Sequence, residues 1–314
     1  NKKLDKKIHV VCPKNKFWNN KSRLLKTIYC FFLIINNFKK KNYLLFSFQA
    51  NLVASIIAKI YEYKLLLRLN TSPNKYIHND FQKFFFKIIY KSADQIIVNS
   101  KKFKSLLKKK LNINSKFIYN PLISKYKIKK RAKKIKKNLN ILNIGRLTDQ
   151  KDHLTLLRAL HLLKKDKIKF TASIIGSGDK YKDLKEYIDK NNLKKEVQLL
   201  GYKPDGYKFM TKADVFILSS KYEGLPNVLI EAQQSNTPII SSNCATGPSE
   251  ILMDGKLGSL YPVGDYKKLY KEIKDFNFNK KKLIKKANLA IKYLKRFDKE
   301  VNCNEYYKVI KKYA

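Results

Sequence analysis

The sequence predicts an α/β fold of two domains, each a parallel sheet joined by crossover helices, and three observations carry that prediction. Apolar runs of strand length alternate with stretches whose apolar residues recur at helical spacing. The alternation comes in two blocks, and a lysine-rich segment without a core-forming face separates them. A chain of 314 residues also suits two domains, at about 100 to 200 residues each.

Taken in order, residues 8–11, 43–48, 64–69 and 95–98 read as the strands of the first block, with helices over 50–61 and 80–90 between them. The longest apolar run, IYCFFLII at 28–35, stops at Asn36 and Asn37. That is short of the roughly 18 apolar residues a membrane-spanning helix needs, so it reads as a core segment. Residues 121–138 read as a linker. In the second block, 141–145, 170–176, 197–201, 214–220 and 237–242 read as strands, with helices around 153–163, 181–191 and 226–235. The lysine-rich tail carries Leu283, Ala287, Ala290, Ile291 and Leu294 at helical spacing and reads as closing helices. The domain bounds expected are 1–123, a basic linker 124–138, 139–279, and closing helices 280–314. Asn1 in place of an initiating Met is read as a fragment whose true start is missing.

Composition narrows the function classes. Lys and Arg number 69 against 24 Asp and Glu, a net charge of +45, which first suggests a nucleic acid or an anionic membrane. Only Arg23, Arg68, Arg131, Arg146, Arg158 and Arg296 are arginines; the rest are lysines among many Asn, Ile and Tyr, the mark of an AT-rich genome. Base-edge and phosphate recognition recruits the rigid guanidinium fork, so the charge argues weakly for nucleic acid. The basic tracts at 101–110 and 125–137 match no nucleic-acid-binding module. Cys12, Cys30, Cys244 and Cys303 form no C-x-x-C pair, and His9, His78, His153 and His161 show no metal-ligand spacing, so neither a zinc site nor a disulfide framework is expected. No signal peptide is read, because the apolar run begins late.

In open α/β sheets ligands bind outside the carboxyl ends of the strands, so motifs there carry most weight. Glu223-Gly-Leu-Pro-Asn-Val-Leu-Ile-Glu231 follows the strand VFILSS. Pro226 suits the first turn of a helix, leaving backbone amides from Leu225 to Val228 free for an anion, with Glu223 and Glu231 placed to accept hydroxyl hydrogen bonds. Equally, the two acids can simply assist and decorate a helix start. Gly145 and Arg146, with Lys151 one turn on, close another strand and form a candidate diphosphate clamp. Gly176-Ser-Gly178 is either a phosphate turn or a tight strand-to-helix turn. Residues 245–250, ending in Glu250, either face the same cleft or form a plain capped turn. Arg68 and Asn70 would open into the cleft.

Together, 145–151, 176–178, Leu200-Gly-Tyr202, the run ADVFILSSKYEGLPNVLIEA at 213–232, and 247–252 resemble the carboxy-terminal domain of family-4 retaining glycosyltransferases. Those enzymes have the GT-B fold, two Rossmann-like domains with parallel sheets facing a cleft. The resemblance spans residues 139–265; 43–51, 67–73 and 118–121 match the first domain more loosely. It implies that Arg146 and Lys151 neutralise the donor diphosphate and that Glu223 contacts the donor sugar, the three catalytic candidates. It implies that Glu231 holds ribose hydroxyls, that Gly145, Gly224, Leu225 and Asn227 approach sugar and phosphate, and that Tyr202 and Lys203 border the base. No histidine stands in 69–72, where many members carry one. The implied substrates are a nucleotide-sugar, UDP-linked by default, and a glycan or lipid-linked acceptor, with retention, no metal and no cofactor. The implied setting is cytoplasmic and peripheral on an anionic membrane surface, in polysaccharide, lipopolysaccharide or glycolipid synthesis, without nucleic acid. The competing readings are an inactive sugar-nucleotide-binding fragment and a basic nucleic-acid-binding protein.

Overall fold

A computed structural model describes residues 23–37, 43–75, 77–122 and 138–314. The expected strand at 8–11 and nearly all of the expected linker lie outside the described residues. Two all-parallel sheets make up the rest, as the alternating pattern predicts.

The first sheet runs in the order β1 (Leu44–Ser47), β2 (Lys64–Leu69), β3 (Gln95–Val98) and β4 (Lys116–Phe117). Helix α1 (Arg23–Asn37) precedes it, and α2 (Asn51–Tyr61), α3 (Asp80–Lys91) and α4 (Lys101–Leu111) make the crossovers. Because each strand adds to the same side of the last, right-handed crossovers put these helices on one face. Leu65, Leu67 and Leu69 point into that layer, while Leu66 and Ile97 point to the opposite face, as a period of two requires. There they meet Val309 of the final helix α12 (Lys299–Tyr313), so the end of the chain returns to cover the first sheet.

One expectation changes here, and one tract to which the sequence assigned no element becomes a helix. The basic tract 101–110 is an amphipathic helix: Ser100 caps it by accepting from Phe103 N, and Phe103, Leu107 and Leu111 are buried, leaving most of the lysines on the solvent side while Lys102 reaches Ser249 and Asp254. The run 28–35 lies in α1 and is not a core segment. Phe31 and Ile34 pack partly buried against the helix layer, while Ile28 and Phe32 on the other side are exposed.

The second sheet has the order β10 (Ser259–Tyr261), β9 (Ile239–Ser242), β8 (Val215–Leu218), β5 (Leu139–Ile144), β6 (Phe170–Ile175) and β7 (Val197–Leu199). The chain steps outward from β5 to β7, then returns to β8 on the other side of β5. That reversal opens a crevice at the carboxyl ends of β5 and β8, where α/β sheets take ligands. Helices α5 (His153–Lys165), α6 (Tyr181–Lys190) and α10 (Tyr266–Phe278) pack on one face; α7 (Tyr207–Met210), α8 (Asn227–Gln234) and α9 (Pro248–Ile251) pack on the other. Ala287 and Ala290 of α11 (Lys280–Lys292) are buried, and Ala290 joins the α8 face.

The two domains are tied together behind the crevice. The Glu250 carboxylate accepts from Lys101 N and Lys102 N, both at 2.9 Å, and from the Tyr119 hydroxyl at 2.7 Å. An acid from the second domain thus caps the amino terminus of α4 in the first, where the helix dipole favours negative charge. Burial and this hydrogen bond push the Tyr119 phenol up. Leu122 N donates to Phe297 O at 2.7 Å. Glu250 is therefore neither a cleft residue nor the cap of its own turn.

Candidate functional site

The loop after β5 is shaped by backbone contact. A Cβ on Gly176, whose φ is +151°, would lie 1.9 Å from Gly145 O, and one on Gly178 would lie 2.2 Å from Leu147 O. Only glycine lets this second turn press against the first, and Leu147 N to Ser177 O at 2.9 Å and Lys180 N to Leu147 O at 3.0 Å lock the two together. The Gly176-Ser-Gly178 pair is thus explained by packing. Across Gly145 lies the aliphatic stem of Lys151, 3.3 Å from where a Cβ would be. Arg146 is exposed at the same edge and forms no ion pair among the described residues.

Lys151 and Glu223 form one unit: Lys151 Nζ sits 2.5 Å from Glu223 Oε1, and both side chains are largely buried. Ser220 Oγ donates to the same carboxylate at 2.6 Å, and Thr246 Oγ1 donates to the Glu223 carbonyl at 2.5 Å. Ser219 Oγ donates to Lys151 O at 2.9 Å, tying the loops after β5 and β8 together. The candidate cation of the clamp is thus held in place by the candidate sugar-binding acid. An ammonium carries three donors, so this pairing leaves others to aim elsewhere.

The helix start is displaced from expectation: Pro226 is the extended N-cap residue and α8 begins at Asn227. Leu225 turns its side chain inward, but its carbonyl faces the first domain, where Asn120 Nδ2 donates to it at 3.3 Å and also to Asn227 Oδ1. The polarity of this contact is set from the first domain. The Arg68 guanidinium donates to Asn120 Oδ1 and Asn70 Oδ1, and its Nε to the Tyr306 hydroxyl at 2.6 Å. With its oxygen turned to Arg68, the Asn120 amide can only donate toward α8. Gly224 completes the join, since a Cβ there would lie 2.1 Å from Asn70 O.

The remaining residues stand apart from this unit. Glu231 keeps a solvent-exposed face on α8, yet enough protein surrounds its carboxyl that desolvation raises its pKa. Tyr202 and Lys203 are exposed just beyond Gly201, whose carbonyl accepts from Gly176 N at 2.9 Å. His153 at the start of α5 is buried, and neither ring nitrogen finds a partner among the described residues. Burial first, then the Lys151 charge, lower its pKa to about 4. The described residues hold no group of three His, Cys, Asp or Glu that could bind a metal, and no described helix is long and apolar enough to cross a membrane.

Gly145, Lys151, Glu223, Gly224, Leu225 and Asn227 are therefore brought into one contact network, whereas the side chains of Arg146, Glu231, Tyr202 and Lys203 form no hydrogen bond with it among the described residues. Sequence reasoning missed Asn120, Ser220, Thr246 and Tyr306. The rarity of arginine was the signal that could have led, through Arg68, to two of them.

Residues 124–297 match the family described as glycosyl transferases group 1. An uncharacterised glycosyltransferase of Methanocaldococcus jannaschii is 32% identical over 252 residues, covering 73% of this chain and 62% of that protein. The Campylobacter jejuni N-acetylgalactosamine-N,N'-diacetylbacillosaminyl-diphospho-undecaprenol 4-alpha-N-acetylgalactosaminyltransferase is 30% identical over 256 residues, covering 78% of this chain and 69% of that enzyme. The structure of Anabaena HepE in complex with UDP superimposes with a TM-score of 0.72 at 18% identity, covering 92% of this chain and 82% of that one, a likeness of fold. With the reversal of its second sheet, the loops after β5 and β8 and these matches in agreement, the chain belongs to the glycosyl transferases group 1 family and has the GT-B fold.

Proposed function

We propose that this chain carries the donor site of a retaining glycosyltransferase that moves a sugar from a UDP-sugar to a glycan or lipid-linked acceptor, in cell-surface polysaccharide or glycolipid synthesis at the cytoplasmic membrane face. The observation that carries the reading is the cationic crevice between β5 and β8, where Lys151 is held by Glu223 beside Arg146 and the amino terminus of α8. A diphosphate placed there meets two cations and unpaired helix amides, which stabilise charge developing on the leaving group. Glu231, on the same helix, accepts the ribose hydroxyls. Glu223 keeps a carboxylate oxygen toward the donor sugar while fixing Lys151, and Tyr202 and Lys203 border the base.

The choice of UDP and of a lipid-linked acceptor is supported by the relatives: HepE was solved with UDP, and the Campylobacter enzyme is named for a diphospho-undecaprenol acceptor. The reading needs no metal, since Arg146 and Lys151 supply the positive charge, and transfer is expected to proceed unchanged in a chelator.

Calorimetric titration with UDP and GDP at moderate salt tests the site. UDP binding weakened about tenfold or more by Arg146→Ala, as loss of a charge-assisted contact implies, and also weakened by Glu231→Ala, supports it. Equal, salt-sensitive binding of every polyanion, indifferent to both substitutions, would falsify it. Chromatographic detection of a retained anomeric product with a lipid-linked acceptor then tests the reaction class.

A further inference from the structure

Helix α3 has two apolar faces, and the fold uses one. Ile89 and Tyr90 are buried toward the sheet and Phe86 packs partly against it. On the other side, Phe81, Phe84, Phe85 and Ile88 stand 77%, 64%, 41% and 54% exposed. Their spacing of three, four and seven residues places them in a single stripe, about 10 Å long. The neighbouring α2, in contact with α3, also leaves Leu52, Ile56 and Ile60 exposed. Contiguous apolar surface of this kind marks an interaction site.

The surroundings say what meets it. Lys83, Lys87 and Lys91 lie on the helix that bears the stripe. Between the start of α3 and α4 lies a cavity of about 510 Å³ lined by Lys83, Lys109 and Lys110 together with His78 and Asp80. Asp80, 3.7 Å from Lys83, is the one carboxylate among the described residues that line it. A second copy of this chain pressed on the same face would bring lysines against lysines. An anionic surface with an apolar interior satisfies both the charges and the stripe.

We propose that α3 is an interfacial docking helix, which seats Phe81, Phe84, Phe85 and Ile88 in an anionic phospholipid bilayer while Lys83, Lys109 and Lys110 hold headgroup phosphates. It rests on the membrane-side acceptor of the proposed function for its purpose, but not for its test.

The test uses the whole chain carrying Phe84→Trp, with vesicles of equimolar phosphatidylglycerol and phosphatidylcholine and vesicles of phosphatidylcholine alone. Expected is co-sedimentation with the mixed vesicles, with the new tryptophan blue-shifted and quenched by lipids brominated on the acyl chain. Charge reversal at Lys83, Lys109 and Lys110 should lower partitioning by at least roughly fivefold for each lysine. Phe81→Ser with Phe84→Ser should abolish it even at low salt, with UDP binding and the unfolding midpoint as the check that the fold survives. Vesicle binding with the tryptophan unquenched, binding undiminished in the double serine variant, or a parent dimer that this variant dissolves would each overturn the proposal. A parent that docks but binds no UDP would sink the donor-site reading and leave the docking helix standing.

Discussion

Helices α3 and α5 make the same kind of crossover beside parallel sheets, and both repeat apolar residues at helical spacing. In α5 the repeat disappears into the core: Leu156, Leu157, Leu160 and Leu163 are wholly buried against β5, β6 and α10. In α3 the four-residue stripe faces outward. The second domain closes around its helix with more of the chain, whereas no described segment lies over the outer side of α3. The charges follow the same division. Lys151, Glu223 and His153 are drawn inside the second domain, whereas the lysines of α3 and α4 other than Lys102 stay on the surface of the first. An amphipathic repeat thus specifies a face, and the neighbouring elements decide whether that face becomes core or contact surface.

The comparison can be sharpened by substitution, and the largest effect belongs to the core. Leu160→Ala removes a side chain with no exposure and is expected to cost about 4 kcal/mol, seen as a lowered midpoint in denaturant unfolding. Next comes the buried ion pair. Glu223→Ala strands the Lys151 ammonium and should cost about 3 kcal/mol in the same measurement, whereas Lys151→Met with Glu223→Leu should cost less than the single change. A double variant no more stable than Glu223→Ala alone would show that the pair is not the source of the loss.

A smaller effect separates the domains by pH. His153 is held neutral, with its pKa lowered from 6.5 to about 4. Between these values the unfolded chain binds a proton that the folded chain refuses, so stability is full above pH 6.5 and falls as the solution is acidified toward pH 4. The loss is on the order of 2 kcal/mol by pH 5. His153→Leu should flatten the dependence of the unfolding midpoint over that window, and an unchanged slope would assign it to other groups. The smallest effect is expected at the exposed stripe. Phe81→Ser should shift stability by no more than about 0.5 kcal/mol, because the ring leaves no cavity; a loss as large as that of Leu160→Ala would mean that α3 is covered after all.

Parts of the molecule are legible in the sequence alone. The strands at 64–69 and 95–98 appear with the bounds read from their apolar runs, and the helices at 51–61 and 80–91 differ by a residue from the reading. Buried parallel strands are short, uniformly apolar and flanked by turns, so local composition specifies them. Helix α4 was hidden because its lysines outnumber its core residues, and periodicity through Phe103, Leu107 and Leu111 was obscured by charge.

Within the site the same division holds. The sequence by itself determined that Arg146, Lys151 and Glu223 stand in the segments that follow strands and Glu231 on the helix after one of them, since position after an apolar run is a local property. Only the tertiary structure decided that Lys151 and Glu223 are partners across 72 residues, that Gly176 and Gly178 serve packing, and that Arg68 orients Asn120 toward α8. It alone sent Glu250 to cap a helix of the other domain. These contacts join residues far apart in the chain, and their geometry depends on sheet order and on how the two domains meet, which no local pattern encodes.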